Sequence, residues 1–190
     1  MTPEERIREL AARGDVQGAA TEAIRWLGPE VLGYLTAMVK AEGDAGEVFS
    51  QFAEDLWRGF PGFRWESSLR TWAYRIAYHA AARFARDPYR QRGQRFETTM
   101  ASRIADDVRR SSVLRQDQRE QQLVALRAEL DPDERTLLIL RLDRGLSWRE
   151  VAQVLAAQGE GPADEAALRQ RFARIKEKLG KKARQAGLIE

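Results

Sequence analysis

At 190 residues the chain has room for one ordinary domain or two small ones. Its 32 Lys+Arg against 29 Asp+Glu conceal an asymmetry: residues 1–60 carry 6 basic and 11 acidic groups, 61–95 carry 8 and 2, and 165–190 carry 8 and 3. Two basic blocks thus follow an acidic front, and on charge alone they read either as polyanion-facing surfaces or as solvated helix faces. The absence of cysteine excludes disulfides and thiolate metal sites, and no long apolar run or leader is evident, so a cytoplasmic chain is expected.

Helical spacing dominates and no stretch alternates like a strand, so the expected fold is all-α. Thr2 caps a first helix with Pro3 in its opening turn, and Gly14-Asp15 interrupts before a second helix to about Leu27. Gly28-Pro29 is expected to break it, with Pro29 opening a helix through Val31, Leu35 and Val39. Gly43 to Gly46 reads as a turn with Asp44 as cap, followed by a helix that buries Val48, Phe49, Phe52 and Leu56 and ends at Gly59-Phe60-Pro61-Gly62.

Ser67 or Ser68 caps the next helix, which extends to about Arg86 and stops at Asp87-Pro88. Its apolar side carries Leu69, Trp72, Ala73, Ile76, Ala77, Ala80 and Phe84; the opposite side carries Arg70, Thr71, Tyr74, Arg75, Tyr78 and Arg86. Two tyrosines four apart among arginines suit unstacked bases, and Phe63-Arg64-Trp65-Glu66-Ser67-Ser68 adds aromatics in a loop just upstream. The alternative is that the tyrosines pack against a neighbouring segment.

Residues 91–120 are polar and rich in Arg, Gln, Ser and Thr, and read as a linker that is helical in part at most. Two small helical domains result, 1–90 and 121–190. In the second, Asp131-Pro132 starts a helix through Leu137 to Leu142 that Gly145 ends. Ser147-Trp148-Arg149-Glu150 has capping-box spacing, and after Gly159-Glu160-Gly161-Pro162, Asp164 caps a final helix. There Leu168, Phe172, Ile175 and Leu179 face a core, while Ala166, Gln170, Ala173, Arg174, Glu177 and Lys181 lie opposite, flanked by Arg169, Arg171 and Lys178. Short helix, turn and basic helix make a helix-turn-helix whose last helix suits a major groove: Gln and Arg can pair with adenine and guanine, and flanking cations with phosphates.

Taken together, these motifs resemble a bacterial RNA polymerase sigma factor of the sigma-70 family, extracytoplasmic-function group. The resemblance rests on Ala12-Arg13-Gly14-Asp15 with Gly28-Pro29-Glu30-Val31-Leu32-Gly33-Tyr34-Leu35, on Asp44-Ala45-Gly46-Glu47-Val48-Phe49-Ser50-Gln51-Phe52 through Leu56-Trp57-Arg58, on Phe63-Arg64 with Glu66-Ser67-Ser68-Leu69-Arg70-Thr71-Trp72 and Tyr74-Arg75-Ile76-Ala77, and on Leu146-Ser147-Trp148-Arg149-Glu150-Val151-Ala152 with Leu168-Arg169-Gln170-Arg171, Arg174 and Leu179. It implies a polymerase-binding set of Asp44, Glu47, Val48, Gln51, Glu54, Asp55, Trp57 and Arg58 on the clamp coiled coil. It implies a minus-ten set of Arg64, Trp65, Ser67, Ser68, Arg70, Thr71, Tyr74, Arg75, Tyr78 and His79 that captures flipped bases. A minus-thirty-five set follows: Ser147, Arg149, Ala166, Arg169, Gln170, Arg171, Ala173, Arg174 and Lys178. The implied partners are core RNA polymerase (clamp and flap) and promoter DNA, duplex and single-stranded, with room for a separate anti-sigma factor and no membrane insertion. No catalysis, metal or cofactor is implied.

Four departures stand out. Gly46 replaces a common acid, Trp65 a usual glycine and His79 a frequent asparagine, and eight residues separate Leu155 from Asp164 where about two are usual. An enzyme reading is poor, because His79 is the only histidine and no phosphate-cradling glycine loop is present. The open alternatives are a stand-alone helix-turn-helix regulator and a divergent sigma-like adaptor that melts no promoter.

Overall fold

A computed structural model describes residues 1–39, 42–86, 100–112, 130–156 and 162–185. All regular structure among them is helical, and the chain divides into two units, Met1–Arg115 and Gln116–Glu190. Among the described residues no helix is long and apolar enough to cross a membrane.

The first unit holds α1 (Pro3–Ala12), α2 (Val16–Met38), α3 (Glu42–Gly59), a single 3₁₀ turn (Phe60–Gly62), α4 (Leu69–Arg86) and α5 (Met100–Ser112). Its first helix starts on a reciprocal cap: Glu5 N–H donates to Thr2 Oγ1 at 3.2 Å and Thr2 N–H to the Glu5 carboxylate at 2.6 Å. Asp15 then accepts from Gly18 N–H at 2.9 Å and opens α2.

Two expected breaks are absent. Pro29 lies inside α2, whose buried face runs through Ile24, Leu27, Gly28, Val31, Tyr34 and Leu35. An interior proline costs about 3 kcal/mol, but burying a side chain such as Leu27, Val31 or Leu35 returns about 1.5–3 kcal/mol each. The expected turn at Gly43 to Gly46 is likewise helical, within α3. Buried Ala45 continues the core stripe of Val48, Phe49, Phe52, Ala53 and Leu56, so packing sustains helix where glycines alone would end it.

The segment read as a linker is helical in part, as allowed, but that part belongs to the first unit. Residues 100–112 form α5, which packs on α2 and α3 through buried Ala101, Ile104, Ala105 and Val108. Gly28 makes that seat: a Cβ there would meet Val108 at 3.1 Å and Phe49 at 3.3 Å. Gly46 makes a second, where a Cβ would meet Arg109 at 3.0 Å and where the Gly46 carbonyl instead accepts from Arg109 Nη1 at 2.8 Å. Desolvation holds the Arg109 guanidinium below its ordinary pKa, with repulsion from Arg110 adding to it, while Asp106 pairs with it. The Asp87-Pro88 stop and the rest of the expected linker lie outside the described residues.

In the second unit, α6 (Pro132–Leu138) opens on Asp131, which forms a capping box with Glu134. The helix then widens into a π turn, Ile139–Asp143, before Gly145 turns the chain at φ +65°. Leu142, expected in the same α-helix, stands 56 % exposed on that turn. Next come α7 (Trp148–Val154), with the Ser147–Glu150 capping box, and α8 (Glu165–Gln185). Leu137, Ile139, Leu140, Val151, Val154, Leu168, Phe172 and Ile175 fill the core between them. Residues 157–161, most of the long connection, lie outside the described residues. Its far end is pinned, because Ala163 N–H donates to the Ala152 carbonyl at 3.1 Å and Asp164 accepts from Ala166 N–H at 2.9 Å.

Candidate nucleic-acid interfaces

The loop between the 3₁₀ turn and α4 gathers four aromatic rings. Phe63 stacks on Trp72, centroids 4.5 Å apart at 20°, and Trp65 leans on Phe63 at 4.7 Å. Phe60 meets Trp72 edge-on at 6.0 Å and Trp65 at 6.4 Å. Trp65 has φ +60°, the only non-glycine residue with positive φ among those described. A left-handed backbone costs an L residue roughly 1–2 kcal/mol, which is the physical reason a glycine is expected at this position. The neighbouring rings offset that cost here. Trp65→Gly is therefore expected to be more stable than Trp65→Ala by about 1 kcal/mol, although both lose the same ring. Equal urea midpoints would contradict it.

Ser68 caps α4: its Oγ accepts from Thr71 N–H at 3.1 Å and lies 2.8 Å from Thr71 Oγ1. Ser67 Oγ donates to the Ser68 carbonyl at 3.3 Å. These two hydroxyls hold the loop's own backbone.

The face of α4 is rolled relative to its expected orientation. Tyr74 and Thr71, read as DNA-facing, are 0 % and 2 % exposed. The Tyr74 ring meets Tyr34 edge-on at 5.4 Å and its hydroxyl donates to Glu30 at 2.9 Å. Arg70 also turns toward α2, donating from Nε to the Glu30 carboxylate at 3.0 and 3.2 Å and lying 5.6 Å from the Tyr74 centroid. One carboxylate on α2 thus engages a tyrosine and an arginine: Thr71 and Tyr74 are buried away from any outward face, and Arg70 stays half-buried against Glu30. Trp72 and Ile76, read as core, are instead only half-buried. The outward side of α4 comprises half-buried Trp72, Arg75 and Ile76 and exposed Arg83 and Arg86, while Tyr78 and His79 are half-buried with rings 5.4 Å apart and the His79 Nε2 is buried. Arg64 is exposed in the loop. The only sequence signal for Trp72 is its nearness to Phe63-Arg64-Trp65, since its spacing on α4 is that of a core residue.

Along α3, Val48 and Glu54 are 1 % and 6 % exposed, so Val48 is a core residue and the Glu54 carboxylate is turned inward, 3.4 Å from Arg58. Gln51 donates to Asp55 at 2.8 Å, and Asp55 pairs with Arg83 of α4. Asp44, Glu47, Gln51, Asp55 and Trp57 are half-buried and Arg58 is exposed. The outward stripe of α3 is therefore acidic and amide-bearing, closed by one arginine.

In the second unit, Ala166, Arg169, Gln170, Ala173 and Arg174 are exposed on α8, and Arg149 is exposed on α7. Two flanking cations are drawn to the first turn of α6: Arg171 lies 3.5 Å from Asp131 and 3.9 Å from Asp133, and Lys178 donates to Glu134 at 2.9 Å. Arg169 pairs with Glu165 at 3.0 Å and lies 5.7 Å from the Trp148 ring. Solvent-exposed pairs of this kind contribute about 0–1 kcal/mol, so a phosphate can replace the acid. Ser147 is occupied as the α7 cap, its Oγ 2.7 Å from Glu150. Trp148 packs edge-on against Phe172 at 5.4 Å and fixes the angle between the two helices.

Residues 23–93 match the family model described as Sigma-70 region 2, a stretch that runs from within α2 through α3 and the aromatic loop to the end of α4 and beyond. No curated protein matches the chain.

Proposed function

We propose that this chain, whose residues 23–93 match Sigma-70 region 2, is a member of the sigma-70 family and a small sigma factor of the extracytoplasmic-function group that carries core RNA polymerase to promoters and opens them. The observation that supports it most is the family match across the helices that bear both the acidic stripe and the aromatic loop. In this reading Asp44, Glu47, Gln51, Asp55, Trp57 and Arg58 dock on the polymerase clamp. Arg64, Trp65, Trp72, Arg75, Tyr78 and His79 form the minus-ten surface, with Ser67 and Ser68 shaping its loop.

Opening requires no covalent chemistry from the protein. Extruding a base from the stack costs a few kcal/mol, and stacking it on an aromatic ring returns about 1–3 kcal/mol. Arginines on the same side neutralise phosphates, and polymerase supplies the rest of the grip. The sigma-70 family consists of transcription factors rather than enzymes, in keeping with this division of labour.

The second unit reads the minus-thirty-five element through α8. Gln170 and Arg174 are the base-reading side chains, Ala166 and Ala173 permit close approach, and Arg149, Arg169, Arg171 and Lys178 meet phosphates. Gln170→Ala and Arg174→Ala are each expected to cost about 1–3 kcal/mol of discrimination at one base pair. Arg149→Ala should weaken all sequences alike and reduce the salt slope by about 1. Equilibrium binding of holoenzyme to a mutated upstream-element library measures both. Unchanged sequence preference in the Gln170 and Arg174 variants would remove α8 as the reading helix.

A further inference from the structure

Helix α1 lies outside the residues that match the family, yet it holds the aromatic loop at two points. Glu4 Oε1 accepts from Leu69 N–H, the first amide of α4, at 3.0 Å across 65 residues of sequence. Arg8 places its guanidinium 4.6 Å from the centroid of Trp65, the residue with left-handed backbone. Between them Ile7 is 1 % exposed and anchors α1 in the core. These three residues, spaced i, i+3 and i+4, share one side of the helix. The Thr2–Glu5 capping box starts α1 early enough to bring Glu4 onto that side.

We propose that α1 is a strap on the base-capture loop, with Glu4 and Arg8 as positioning residues for promoter opening; the proposal rests on the sigma-factor reading above. Glu4 satisfies an orphan donor at the start of α4 and sets a carboxylate at the positive end of its dipole. Ser68 already holds the Thr71 amide of the same turn, so Glu4 and Ser68 together fix the point where loop becomes helix. Arg8 holds the indole whose backbone is under strain, by the attraction between a cation and a ring face. Neither residue needs to touch DNA. Ordering the loop before the bases arrive lowers the entropy lost on capture.

The test uses full-length Glu4→Ala, Glu4→Gln, Arg8→Ala and Arg8→Lys proteins reconstituted with core polymerase. Opening is read by 2-aminopurine fluorescence on a promoter fragment that wild-type holoenzyme selects from genomic DNA. Glu4→Ala is expected to lower the opening equilibrium roughly fivefold and Arg8→Ala about two- to fivefold, with affinity for core polymerase within about twofold of wild type. The Gln and Lys variants, which keep the acceptor and the cation, should recover most of the loss. Wild-type opening by both alanine variants would overturn the strap. Amide exchange of the free proteins provides a separate arm: Glu4→Ala should speed exchange at Leu69 roughly fivefold and Glu4→Gln should not. If wild-type holoenzyme opens no fragment, the sigma-factor reading fails, and unchanged Leu69 exchange in Glu4→Ala would then overturn the strap independently.

Discussion

Replacing Tyr74 by alanine is expected to destabilise the whole first unit by about 3–5 kcal/mol, the range for truncating a large buried aromatic. The ring is fully enclosed and packs edge-on against Tyr34 at 5.4 Å, and its hydroxyl donates to Glu30 at 2.9 Å. A loss of that size is a large part of the roughly 5–15 kcal/mol that stabilises an ordinary domain. On the proposed function, polymerase binding and promoter opening should therefore fall together. Tyr74→Phe keeps the ring and removes one donor to Glu30, so about 1 kcal/mol is expected. Urea denaturation measures both variants. A Tyr74→Ala protein of wild-type stability that fails only in opening would put this side chain on DNA instead of in the core.

The second large effect is expected at Gly28. The Cβ of any other residue would already lie 3.1 Å from Val108 and 3.3 Å from Phe49, and leucine adds three further carbons. Overpacking of this kind costs about 1–3 kcal/mol, and the cheapest relief is for α5 to leave its seat on α2 and α3. Gly28→Leu should lower the denaturation midpoint and make residues 100–112 the first site of proteolytic cleavage. Unaltered protection of that segment would mean that α5 does not depend on the glycine seat.

What could be read in the sequence was whatever is local. Thr2-Pro3-Glu4-Glu5, Asp131-Pro132-Asp133-Glu134 and Ser147-Trp148-Arg149-Glu150 each place a cap and its acidic partner within three residues, and each starts a helix. The buried spacing of Leu168, Phe172 and Ile175 on α8 was equally legible, because one helix face contains all of it. Local sequence misleads where a distant partner decides. Glu30 lies 44 residues from Tyr74 and 40 from Arg70, so nothing within the α4 sequence reveals that these polar groups turn inward. Pro29 and Gly43 to Gly46 carry strong local signals for breaks that tertiary burial overrides. A signal for α5 was present and was outweighed by its polar surroundings: Ala101, Ile104, Ala105 and Val108 fall at i, i+3, i+4 and i+7, one buried stripe of a helix.

The candidate site was partly legible for the same reason. The aromatic loop and the exposed side of α8 lie where their sequence motifs place them. The membership of Trp72 in the loop cluster and the inward turn of Tyr74 follow from the roll of α4, which its contacts with α2 and α3 determine.

The most direct measurement is transcription and promoter opening by core RNA polymerase on genomic fragments, with and without the purified chain. Defined starts and opened minus-ten bases that require both components are the expected result. Duplex binding by the chain alone with no transcript would instead indicate a stand-alone regulator. Polymerase binding with no opened bases would indicate an adaptor. Either result would contradict the assignment of this chain as a promoter-opening sigma factor.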